Sequence, residues 1–196
     1  ISNAIGVSAT DPAALTVELP LESVSITGSP KVGSALTAQA QAADGATLTY
    51  QWKAAGAAIA GATSRTFTPT AAQDGNAVTV AVTAVSDAGE ATLETDPVTV
   101  GKGALTAGTP TLSGTTTGGK TLTAKPGTWK TGTTLSDQWL RDGKASPGAT
   151  KSAYTLGAAE GGKQSSGPGT GKRAGYSEAW KNAGKAKAVG RAAPRR

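Results

Sequence analysis

The chain contains no cysteine, no histidine and no methionine in its 196 residues. Without cysteine there are no disulfides, no thiol nucleophile and no thiolate metal site. Cysteine-free chains occur among exported as well as internal proteins, so this absence does not settle the compartment. Without histidine the usual general acid–base group is gone, and with it the Ser–His and Cys–His arrangements of nucleophilic catalysis. Aromatic residues make up only 4% of the chain and charged residues 16%. No apolar run approaches the ~20 residues that span a bilayer, and no signal peptide is recognisable. Ile1 stands where a start Met would, with the repeat described below already under way, which reads as a piece of a longer chain.

What is present is glycine, alanine and threonine, patterned with a period of two. From Leu48 to Phe67 the bulky residues Leu48, Tyr50 and Trp52 alternate with Thr49 and Gln51. A small-residue turn, Ile59, Gly61 and a second alternating run to Phe67 follow. Alternation of this kind, with hairpin-length spacing and no helical periodicity, predicts a β-sandwich built around a buried Trp. Val78, Val80 and Val82 give a clean inward alternation, with Val85 expected to continue it. Leu36 and Ala38 point inward, and Val24 and Ile26 form a short edge strand. Tyr50, Trp52, Val78, Val80 and Val82 are expected in one two-sheet core.

The same stretch returns 87 residues later as Asp137-Gln138-Trp139, Gly148-Ala149-Thr150 and Tyr154-Thr155. The chain is therefore a tandem repeat. Residues 1–17 read as the terminal hairpin of an upstream repeat, residues 18–101 as a complete sandwich, residues 102–190 as a second, degenerate repeat and residues 191–196 as a basic disordered tail. A last strand is expected through Ala186 and Ala188, after a turn at Ala174-Gly175-Tyr176. Charge divides unevenly: residues 1–170 carry 11 basic and 12 acidic side chains, whereas residues 171–196 carry 8 basic ones against Glu178 alone, a net of +7.

The second copy departs from the first at core-facing positions. Where the first has Tyr50, Ile59, Val78, Val80 and Val82, the second has Asp137, Ser146, Ser165, Gly167 and Gly169. Each lost inward Val costs ~2 kcal/mol if the strand still docks. Changes of Val to Gly, Ile to Ser and Tyr to Asp are each reachable by one T-to-G base change. That regularity favours a decayed or misread copy over ordinary divergence. Residues 160–172 are expected to be a frayed or edge segment of an incomplete second sandwich.

Tyr50-Gln51-Trp52, Ile59-Ala60-Gly61-Ala62-Thr63, Asp74-Gly75, Val85-Ser86-Asp87-Ala88-Gly89 and their counterparts in the second copy resemble the bacterial and phage immunoglobulin-like tandem repeats. The resemblance implies an all-β fold of tandem Ig-like β-sandwiches, the second degraded or incomplete. In disulfide-bearing members of that family a Cys on each sheet clasps the Trp; Ala38 and Val80 stand at those places here. It also implies modules carried by surface proteins, secreted enzymes and phage particles.

No catalytic set emerges. Glu90, Glu94 and Asp96 fall on a hairpin and Asp142 in a turn, where solvated turn chemistry is the simpler reading. Gly167-Pro168-Gly169-Thr170-Gly171-Lys172 misses the spacing of a phosphate-cradling loop, and no helix follows it. Asp11, Asp44, Asp74, Asp87 and Asp96 lie at turns without the clustering that calcium favours. Neither a cofactor nor a metal is expected. The residues with functional content are Trp129 and Trp180. A solvent-facing indole can stack on a sugar ring, although Trp129 can equally pack over the sheet edge. The reading is a non-enzymatic extracellular spacer and adhesion module of a larger modular surface or secreted protein. A phage virion module binding the host surface, or an accessory module of a secreted carbohydrate-active enzyme, are the alternatives. The partners expected are cell-surface polysaccharide or another surface protein, with no specific nucleic acid and no membrane span.

Overall fold

The computed structural model describes residues 19–160, 163, 165–184, 186 and 190. The hairpin expected at residues 1–17, Ala188 and the tail expected at residues 191–196 lie outside them. The chain divides into two compact units. The first takes in residues up to Ser29, Ala35–Phe67 and Ala77–Val98; the second takes in Pro30–Ser34, Thr68–Asn76 and the chain from Thr99 onward.

The first unit holds β1 (Leu21–Gly28), β2 (Leu36–Ala42), β3 (Thr47–Ala54), β4 (Ala57–Ala58), β5 (Thr66–Phe67), β6 (Ala77–Ser86) and β7 (Gly89–Glu94), with the short β8 (Val98–Thr99) at its end. One sheet runs β1-β2-β5 and the other β4-β3-β6-β7, with β8 also on β6. Strand β6 shows why they face each other. Its sequence alternates, and Val78, Val80, Val82 and Ala84 are all fully buried, as are Trp52 and Leu36. Burying each such valine is worth ~1.5–3 kcal/mol, enough to fix which face turns inward. Ala38, from the opposite sheet, is buried too.

Two expectations need correction here. Val85 is 50% exposed, because the period of two carries the buried row from Val82 to Ala84 and turns Val85 outward. Tyr50 is only half-buried. The facing strand β5 is two residues long, and its Phe67 stacks on Trp52 at 5.4 Å between ring centroids, so its ring cover goes to Trp52 rather than to Tyr50.

The second unit holds β9 (Thr111–Gly114), β10 (Thr121–Lys125), β11 (Thr134–Asp137), β12 (Leu140–Arg141), β13 (Lys144–Ala145), β14 (Ala153–Thr155), β15 (Ser165–Ser166), β16 (Pro168–Lys172) and β17 (Ala179–Asn182). Its sheets are β14-β10-β9, β11-β16-β17 and β13-β12-β15. The core is Leu122, Ala124, Trp139 and Leu156, with Leu112, Ala149, Tyr154 and Ala186 packed against it.

Around each Trp the wiring is the same at an offset of 87 residues. The Trp52 indole N–H donates to the Ser64 carbonyl at 2.9 Å, and that of Trp139 donates to Lys151 at 2.8 Å. The Gln51 amide donates to the carbonyls of Trp52 and Ile59, and Gln138 donates to those of Trp139 and Ser146. Both hairpin turns beside them use a positive φ, at Ala55-Gly56 and at Asp142-Gly143.

The two copies differ in the sheet itself. Where β3 runs unbroken past Trp52, the second copy splits into β11 and β12 around Gln138-Trp139, and the counterpart of β6 splits into β15 and β16 around Gly167. Pro168, aligned with Ala81, has no N–H to give the ladder at this point. Of the stretch 160–172, expected to be a frayed or edge segment, β15 does lie at the edge of its sheet, but β16 does not. Strand β16 is the central strand of its sheet, paired to β11 on one side and β17 on the other. Ladder bonds come from the backbone and need no side chain. The final strand β17 ends at Asn182, earlier than expected, and Ala186 follows it as a contact of the core.

Candidate functional site

The outward face of sheet β11-β16-β17 can be read from its register. Ser136 lies opposite Thr170, and Thr170 opposite Trp180. In an antiparallel sheet such partners share a face, so the three form one cross-strand row. The neighbouring row begins with Thr134 opposite Lys172, whose ammonium pairs with Glu178 at 2.8 Å. Along β17 itself, Glu178 and Asn182 flank Trp180 on the same side by alternation. Trp180 is 66% exposed, the largest value among the exposed large hydrophobic residues described. Its indole therefore stands on a flat strand surface, bordered by hydroxyls, a carboxamide and an ion pair.

In the first unit the corresponding row is Thr49, Thr83 and Thr92. Thr83 and Thr92 hydrogen-bond to each other through their hydroxyls at 2.7 Å. The exposed Trp thus occupies the place that a threonine fills in the other copy.

Trp129 is elsewhere. Its segment, Pro126-Gly127-Thr128-Trp129, turns at Gly127, where φ is +75° and the Thr109 backbone leaves no room for a Cβ. The indole N–H donates to the Pro126 carbonyl at 2.9 Å. The ring lies directly against Gly171, so closely that any Cβ there would fall inside it. Gly171 alternates with Thr170, so Trp129 packs on the opposite face of the sheet from Trp180. The two aromatic residues singled out in the sequence do not form one platform.

A second polar cluster was not anticipated. Glu160, 4% exposed, accepts a hydrogen bond from the Tyr154 hydroxyl at 2.6 Å and one from the Gly157 N–H at 2.8 Å, and the Arg141 guanidinium lies 3.4 Å away. Burial alone pushes its carboxyl up, but the Tyr154, Gly157 and Arg141 contacts together outweigh it and hold the group below the ordinary carboxylate range. Burial first, then Glu160, pushes the Tyr154 phenol up. The sequence did carry a signal: Phe67 and Gln73 in one copy become Tyr154 and Glu160 in the other, a coupled change. Gln73 accepts from the Thr70 N–H at 2.9 Å as Glu160 does from Gly157, so the cluster is an elaborated turn cap.

The remaining marked residues do not converge. Glu94 pairs with Lys53 at 2.7 Å and accepts from Thr79 at 2.6 Å on an exposed face. Those hydrogen bonds, Lys53 first, hold its carboxyl below the usual range. Asp142 lies in a hairpin turn within 3.2 Å of Lys163. Among the described residues no three acidic side chains gather as a metal site would need, and no helix is long and apolar enough to cross a membrane. Gly167 to Lys172 is largely strand rather than a phosphate loop. Nearby, Lys130 and Arg173 each lie 5.0 Å from the centre of the Tyr176 ring, within cation–π range.

The sheets and their paired Trp cores define a chain of immunoglobulin-like β-sandwiches. No family profile and no curated protein matches the sequence. Among solved structures, the chain is similar to the three N-terminal domains of the highly immunogenic outer capsid protein of bacteriophage RB49, at 16% identity and a TM-score of 0.40 over 83% of this chain. It spans 57% of the length of that capsid fragment. An I-band fragment of titin aligns at 10% identity and a TM-score of 0.26, covering 83% of this chain and 65% of the other. Tandem Ig repeats of Dlar align at 13% identity and a TM-score of 0.25, covering 84% and 92%.

Proposed function

We propose that this chain is a non-enzymatic Ig-like spacer and adhesion module of a larger modular surface, secreted or virion protein, with repeats at residues 18–101 and 102–190. The observation that carries the reading is Trp180, two-thirds exposed on a flat sheet face among hydrogen-bonding side chains, where the other copy has a threonine. A single exposed hydrophobic residue is ordinary on a protein surface. What supports the reading is the indole's setting beside hydrogen-bonding side chains, a pairing of apolar ring and polar groups that a ligand can use. A sugar ring fits that chemistry: its C–H face covers the indole, and its hydroxyls meet Thr170, Ser136 and Asn182. Trp129, set against Gly171, supports the sheet from the other side.

Retention on isolated cell-wall polysaccharide tests the proposal. The parent chain is expected to be held and Trp180→Ala to be released. Retention of neither would leave the chain a spacer without an adhesive face, and equal retention of both would place the adhesion away from Trp180.

A further inference from the structure

We infer that the face around Trp180 takes an uncharged polysaccharide, an extended chain of pyranose rings with equatorial hydroxyls, bound along its length rather than at an end. This rests on the adhesion reading and narrows it to one ligand class. The first observation is charge. Among the described residues, the charged side chains on this face are Lys172 and Glu178, and they neutralise each other at 2.8 Å. The neighbouring cations are engaged elsewhere. Lys181 alternates to the opposite face, where its ammonium donates to the Thr109 hydroxyl at 3.2 Å. Arg173 donates to the Thr131 carbonyl and lies over the Tyr176 ring. A polyanion would therefore meet the Glu178 carboxylate beside Trp180 with no unpaired cation, among the described residues, to offset it. The same balance disfavours nucleic acid, whose affinity comes largely from neutralised phosphates. An uncharged chain meets no such penalty.

The second observation is the state of the hydrogen-bonding groups. In the first unit the Thr83 and Thr92 hydroxyls close on each other at 2.7 Å. In the second, an indole stands opposite Thr170 instead. The hydroxyls of Ser136 and Thr170 and the Asn182 carboxamide have no hydrogen-bond partner among the described residues. Each can exchange water for a sugar hydroxyl without breaking a bond inside the protein. The third observation is spacing. From Trp180 through Thr170 to Ser136 the row crosses three strands, a span of ~9.6 Å, about the length of two sugar residues in an extended chain. A pyranose with equatorial hydroxyls presents bare C–H faces, which an indole covers, whereas an axial hydroxyl would stand between them. A flat strand surface touches such a chain from one side and lets both ends run on. A protein partner would need a larger apolar core, because aromatic anchors at protein interfaces sit in desolvated clusters.

The test uses the full chain on two immobilised polymers with the same pyranose main chain, uncharged hydroxyethylcellulose and acidic carboxymethylcellulose, beside whole wall polysaccharide. The parent should be held by hydroxyethylcellulose equally at about 0.02 and about 0.3 M salt, and less well by carboxymethylcellulose. Cellotetraose should compete about tenfold better than glucose, because it alone spans the row. Trp180→Ala should bind about tenfold more weakly, and Trp180→Tyr, which keeps a ring, should recover most of that loss. Near-ultraviolet circular dichroism, dominated by the buried Trp52 and Trp139, confirms that both variants fold. Equal binding by Trp180→Ala would overturn the ring contact. Tighter retention on carboxymethylcellulose that falls with salt would replace the uncharged class with an acidic one. Equal competition by glucose would overturn binding along the chain. No retention on hydroxyethylcellulose, with retention on whole wall polysaccharide preserved, would defeat this inference alone; loss of both would defeat the adhesion reading as well.

Discussion

At the scale of single residues, the second unit carries two carboxylates whose environments pull in opposite directions. Glu160 is held in its charged form by Tyr154, Gly157 and Arg141, and its pKa is lowered. It therefore adds stability that is present above the ordinary carboxylate range and lost as pH falls through its lowered value. Asp137, paired with Gly169 where the first copy has Tyr50 beside Val82, is raised by burial. Its ionisation in the unfolded chain works against folding above about pH 4, and that penalty disappears on acidification. Glu160→Gln should lower stability at pH 7 by ~1 kcal/mol, since a Gln can still accept from the Gly157 N–H as Gln73 does from Thr70. The gap to the parent should hold at neutral pH and narrow as pH falls below the ordinary carboxylate range in thermal melts, whereas Asp137→Asn should melt higher than the parent at pH 7. A gap for Glu160→Gln that stays constant with pH would show that its charge contributes nothing.

At the scale of the element, β16 shows how a strand with hardly any side chains holds the middle of a sheet. Its glycines are not interchangeable. A Cβ at Gly171 would enter the Trp129 ring, while at Gly169 the nearest atoms, Pro126 Cβ and Asp137 Oδ1, lie 3.8 and 4.0 Å away. Gly171→Ala should therefore destabilise the chain by ~1–3 kcal/mol through overpacking. Gly169→Ala should stabilise it by ~0.4–1 kcal/mol by narrowing the unfolded ensemble. Denaturant titration reads both, and equal midpoints would mean that the Trp129 ring does not rest on this strand. The bulky group that the strand lacks is supplied from outside it, by Trp129.

At the scale of the whole molecule, the two units share one wiring but not one core. The first buries Trp52 among three valines of a single strand; the second buries Trp139 beside Gly167, and the neighbouring Ser146 hydroxyl is buried without a hydrogen bond in normal geometry. Its pull on the Tyr154 phenol falls short of one. Calorimetry should show two transitions, the second unit melting first. Ser146→Ala, which removes the unpaired hydroxyl, should raise the lower transition by about 1 kcal/mol and leave the upper one in place. A single transition, or an equal shift of both, would mean that the units unfold as one.

The alternation of β6, the two Gln-Trp pairs and the offset of 87 residues were legible in the chain, because a period of two and a repeated turn chemistry depend on local sequence alone. They determined the all-β class, the tandem copies and the buried Trp52 and Trp139. Tertiary structure decided the rest. Whether β16 sits at an edge or in the centre depends on which backbones pair with it, and glycine leaves that choice to its partners. The faces taken by Trp129 and Trp180 follow from register across three strands distant in sequence, which composition does not record. The Glu160 cluster needed Tyr154, Gly157 and Arg141 brought to one point, and only the folded chain brings them there.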